Sequence, residues 1–154
     1  MLATMRIYLD LCAWKRPYDH AESERVRLEA LAVAALLDAA GAGRVEIVSS
    51  AVLQVENDRN PDPERRAGVR LLLADLRLEV PLDDRVAARA RELQPLGLRP
   101  LDALHAASAE AAGCAYLVTT DDRMAAALRR NAATLHVRLA DPMLMVRVVE
   151  GVEP

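Results

Sequence analysis

Four acidic residues stand where carboxylates could do chemistry. Asp10 ends the short aliphatic run Arg6-Ile7-Tyr8-Leu9, and Asp121 follows a second such run in Tyr116-Leu117-Val118-Thr119-Thr120. Asp102 lies just after Pro100, in the first turn of a helical pattern, where the helix dipole favours a negative charge. Glu56 lies six residues after Ser50, on a short helical stretch. Each has an ordinary explanation when taken alone. Asp10 can be a turn or cap residue and Asp102 a helix-start charge. Asp121 or Asp122 can cap the helix that follows, and Glu56 can be a solvated helix residue. Brought into one cleft, the four would repel and raise one another's pKa unless a cation joined them. Hard oxygen donors in an incomplete cage suit Mg²⁺ or Mn²⁺, which keep waters and bind phosphate oxygens.

The elements needed to bring them together are legible in the hydrophobic pattern. Strands are expected over 6–9, 45–48, 78–80, 115–118 and 136–139, each a short apolar run. Helices are expected over 22–40, from Ser49-Ser50 through Glu56, over 63–76, 83–93, 101–111 and 121–130, with a final short helix after Asp141-Pro142. The stretch 14–21 reads as a polar loop. Gly41, Gly43 and Gly113 follow helices as stops, and Pro61, Pro63, Pro95 and Pro100 mark breaks. Aliphatic strands alternating with helices imply a parallel sheet covered on both faces. In such sheets ligands sit beyond the carboxyl ends of the strands, where Asp10 and Asp121 fall.

Composition narrows the function classes. A chain of 154 residues, 53% hydrophobic, is long enough to bury a core. Phe is absent and aromatics are 3%, which argues against binding single strands by base stacking on exposed rings. The formal charge of −3 gives no global attraction for nucleic acid, so such contact needs a local basic patch or bound cations. Lys15, Arg16 and Arg99 flank the acids and could grip phosphates, or be ordinary solvated charge. Trp14 and Tyr18 could stack on a base or cover the core edge. Cys12 and Cys114 are too few for a disulfide framework or zinc site and read as buried thiols of a reducing compartment. No run is long enough to span a membrane, and the N-terminus lacks the order of a signal peptide, so a cytoplasmic protein is expected.

The words around the acids resemble the PIN-domain family, which includes the VapC-like ribonuclease toxins of toxin–antitoxin pairs. Ile7-Tyr8-Leu9-Asp10 is similar to the family's opening strand and first acid, and Ser50 with Glu56 to its second motif. Leu101-Asp102-Ala103-Leu104-His105-Ala106-Ala107 resembles the third motif, the most specific, and Leu117-Val118-Thr119-Thr120-Asp121 the fourth. The chain departs from the pattern at Leu11 and Cys12, where many members carry a Thr or Ser and an Asn, and at Leu53, often Thr.

The resemblance covers residue 6 to about 142. It implies one PIN-like three-layer α/β/α domain over residues 1–154, with a five-stranded parallel sheet. It further implies an Mg²⁺- or Mn²⁺-dependent endoribonuclease in which Asp10, Asp102 and Asp121 hold metal, and Glu56 positions a second metal or the attacking water. A cognate antitoxin and a homodimer are implied partners.

His105, on the same helical face as Asp102, reads either as a general acid or as a packed or capping histidine; Asp122 is a candidate fifth acid. A receiver-like phosphoacceptor is disfavoured, since no acidic pair follows the first strand and the sole lysine, Lys15, is misplaced. The alternative is a non-catalytic PIN-like RNA- or protein-binding module. A DNA nuclease is less favoured, since the chain has no arch or clamp.

Overall fold

The computed structural model describes residues 3–20 and 23–152. The expected helix start at Glu22 and the loop end at Ala21 lie outside the described residues. Five parallel strands form one sheet: β1 (Arg6–Leu9), β2 (Glu46–Ser50), β3 (Glu79–Val80), β4 (Tyr116–Val118) and β5 (Arg138–Ala140), in the order β3-β2-β1-β4-β5. Ile7 stands beside Ile47 on one side and Tyr116 on the other. Ile7, Tyr8 and Leu9 are fully buried, as expected for a central parallel strand with both faces covered.

The strands are joined by α1 (Leu11–Lys15), α2 (Glu24–Gly41), α3 (Ala51–Asp58), α4 (Pro63–Ala74), α5 (Asp84–Leu93), α6 (Pro100–Ala111) and α7 (Asp122–Arg130), and α8 (Pro142–Val149) follows β5. The helices cover the sheet in a three-layer α/β/α arrangement, with α2 packed on α8 and α5 on α6. Short polar side chains start most of them. Ser23, Ser50, Asp62, Asp83 and Asp141 each accept a backbone N–H from the first turn. No helix among the described residues is long and apolar enough to cross a membrane.

Two local differences bear on the site. Leu11–Lys15, which runs into the stretch 14–21 expected as loop, is a single helical turn followed by a 3₁₀ turn over Arg16–Tyr18. Five residues are too few to show an amphipathic period, so only the capping geometry at Asp10 reveals that turn. Strand β2 also runs further than expected, through Ser49 and Ser50, because both pair with β3. Ser50 thereby ends β2 and caps α3 at once.

Candidate active site

Asp10, Glu56, Asp102 and Asp121 line one cavity of about 440 Å³, together with Leu11, Cys12, Arg99, Pro100, Leu101 and His105. The cavity lies at the carboxyl edge of the sheet, beside the central strand β1, where the order of connection reverses. A larger cleft of about 760 Å³ opens at the amino ends of β4 and β5, and among the described residues no carboxylate lines it.

Asp10 is the most enclosed of the four, 3% exposed. As the N-cap of α1 it accepts the Ala13 N–H at 3.0 Å, and it accepts the Thr119 hydroxyl at 2.5 Å. Burial pushes its carboxyl up from 3.8 to about 6, against the pull of those two donors and of nearby His105. Thr119 also accepts the Asp121 N–H at 3.0 Å, so one hydroxyl ties the first acid to the backbone of the fourth. Asp121 caps α7 through Oδ1, which accepts from Arg123 and Met124 N–H.

Asp102 is half-buried and its carboxyl is raised by that burial, with Asp121 adding to the effect and Arg123 opposing it. The Arg123 guanidinium donates to Asp102 Oδ2 at 2.7 Å. Glu56 comes from α3, and its Oε1 lies 3.1 Å from His105 Nε2. Among the described residues Glu56 Oε2, Asp102 Oδ1 and Asp121 Oδ2 make no hydrogen bond. The four acids are gathered around one space but not clenched: no three His, Cys, Asp or Glu side chains among the described residues form a ready-made metal-holding group.

The remaining candidates sort clearly. His105 is 2% exposed and hydrogen-bonded at both ring nitrogens, which makes it a packed, connecting residue. Asp122 is exposed, and both its oxygens accept from the Arg25 guanidinium, at 2.6 and 2.7 Å. That pairing, with Thr120 O and Glu29 as further acceptors of Arg25, turns it away from the role of fifth acid. Arg16 is held between Asp19 and the buried Glu29, whereas Arg99 lines the cavity. Trp14 is fully buried, and Tyr18 lays its ring on the bare backbone of Gly68, so both cover the core edge. Cys114 is buried; Cys12 is only partly so and lines the cavity. Burial pushes both thiols up to about 12. Thr119, Tyr8 and Arg123 were not singled out from the sequence. Only the position of Thr119, two residues before an acid at a strand's end, hinted at its role.

A parallel α/β fold with carboxylates gathered beyond the central strand defines a class of proteins built around an acidic cavity. The PIN domain family model matches residues 7–130, and the chain belongs to that family. Among solved structures it is similar to VapBC2 from Rickettsia felis bound to a DNA fragment from its promoter, with 18% identity over 89% of this chain and 98% of that one, TM-score 0.54. DNA-bound VapBC from Salmonella typhimurium matches at 17% identity over 90% and 99%, TM-score 0.54. PAE2754 from Pyrobaculum aerophilum matches at 17% over 97% and 99%, TM-score 0.53. At these identities the likeness is one of fold. No curated protein sequence matches the chain.

Proposed function

We propose that this protein is a divalent-metal-dependent endoribonuclease, the toxin of a toxin–antitoxin pair acting in the cytoplasm. The observation that carries the reading is the set of four carboxylates around one cavity at the sheet's carboxyl edge. Family membership supports the nuclease class, and two of the fold neighbours are complexes titled VapBC, which supports the toxin setting. A protein antitoxin and a homodimer belong to the same proposal.

The residues fit a hard cation. Among the described residues three carboxylate oxygens at the cavity lack a hydrogen-bond partner, and Asp10 and Asp102 are both raised by burial, a cost that a bound cation would relieve. Asp10, Asp102 and Asp121 would hold Mg²⁺ or Mn²⁺, partly through water, and Glu56 would orient the attacking water. Such an ion acidifies water and neutralises charge on a scissile phosphate. For Asp102 to take part, the Arg123 guanidinium must leave it. Freed, Arg123 stands with Arg99 as a cation beside the acids, able to grip an RNA phosphate in a chain with no overall positive field.

The test is cleavage of a fluorophore-quencher RNA by the purified chain with Mn²⁺. Asp10→Asn and Asp121→Asn should each lose at least about 100-fold in rate, since several kcal/mol of charge stabilisation depend on the ion they hold. Chelator should abolish the wild-type rate. Full activity in either variant would refute the assignment.

The Asp102–Arg123 pair and the unclenched acids favour one second reading, a binding module that retains the acids without turnover. Mn²⁺ binding with no cleavage of any RNA would select it.

A further inference from the structure

Behind Glu56 runs a buried chain of hydrogen bonds. Leu53 N–H donates to Ser50 Oγ at 3.0 Å, Ser50 Oγ lies 2.7 Å from the Tyr8 hydroxyl, and that hydroxyl lies 2.6 Å from His105 Nδ1. His105 Nε2 then meets Glu56 Oε1. Ser50 and Tyr8 are fully buried and His105 nearly so.

The direction of the chain follows from its ends. A carboxylate oxygen only accepts, so Nε2 carries the proton it gives to Glu56. If Nδ1 accepts from Tyr8, and Tyr8 from Ser50, each hydroxyl both gives and receives. Run the other way, Tyr8 would give its proton to Ser50. The Ser50 proton would then have no acceptor among the described residues, a costly vacancy in a dry interior.

We propose that Ser50, Tyr8 and His105 are positioning residues that lock His105 in its Nε2-protonated tautomer and so hold the Glu56 carboxylate at the acidic cavity. The proposal rests on the metal-nuclease reading for what Glu56 then does. Glu56 is a long side chain, 26% exposed on a helix, and without the imidazole donor nothing among the described residues fixes it. Anchored by Oε1, it presents Oε2 without searching rotamers. Partners of this kind change metal affinity by about 10–100-fold.

Tyr8→Phe keeps the ring and removes only the hydroxyl. Long-range ¹H–¹⁵N spectra of the chelated wild-type protein should show His105 as the single Nε2–H tautomer, and Tyr8→Phe should show a mixture. Calorimetric Mn²⁺ titration should give about tenfold weaker binding in Tyr8→Phe, with its melting temperature lowered by a few degrees for the buried groups left unpaired. An Nδ1-protonated His105 in the wild type, or an unchanged tautomer or Mn²⁺ affinity in Tyr8→Phe, overturns the proposal. If Tyr8→Phe does not fold, the wild-type spectrum alone decides the direction of the chain. Wild-type protein that neither binds Mn²⁺ nor cleaves RNA strikes the nuclease reading instead, because the tautomer is read without metal.

Discussion

Asp10 carries two loads that pull against each other. It is one of the acids proposed to hold the ion at the cavity and the one that burial most disfavours as a charge. Its folded pKa, about 6, lies above its ordinary 3.8. A raised acid contributes stability that is fully present below the unfolded pKa and is lost as pH rises through the folded one. In chelator, the wild type should therefore lose about 2 kcal/mol relative to Asp10→Asn between pH 4.5 and 7.5. Urea unfolding at both pH values checks this, and parallel behaviour of the two proteins would contradict it. Three of the site's aspartates were readable because each sits in a distinctive word at the end of a strand or the start of a helix. Glu56 was weaker because a helix acid looks the same whether solvated or aimed inward. The roles of Tyr8 and Arg123 were not readable at all, and the position of Thr119 gave only a hint of its role. Thr119 meets Asp10 across 109 positions and Tyr8 meets His105 across 97, and no local pattern encodes such pairings.

At the scale of elements, the acids double as helix caps. Asp121 opens α7 as Asp10 opens α1. The cap reading is thus true of both side chains, and the role proposed for them at the cavity uses the same groups. Asp121→Ala should cost about 1 kcal/mol of stability by removing the cap, whereas Asp121→Asn retains an accepting oxygen and should cost far less. Denaturant titration separates them, while both should lose cleavage; equal destabilisation would mean that the cap contributes nothing. The long helices announced themselves by period, caps and glycine stops. The turn α1 did not, and the last two residues of β2 were mistaken for a cap alone. Ser50 in fact serves strand, cap and hydrogen-bond chain together.

For the molecule as a whole, the parallel sheet was legible from the alternation of elements, and its order brings acids from four separate stretches to one edge. A ligand that binds only this assembled edge stabilises the whole fold by mass action. Mn²⁺ at 100 times its dissociation constant should add about 2.7 kcal/mol to unfolding, and Asp121→Asn should lose most of that gain. Thermal melts with and without Mn²⁺ measure it, and an equal gain in the variant would place the ion elsewhere.

The central place of β1 has one more consequence, for the protein's birth. Asp10 bonds through its backbone to Val118 and through its side chain to Thr119, so its setting is completed by β4. A ribosome adding roughly 5–20 residues per second needs on the order of ten seconds to travel that distance. Throughout that interval the first acid has been made while its cavity has no far wall. On the ribonuclease reading proposed above, a nascent chain should leave the message it is being read from uncut, and any truncation before β4 should be inactive.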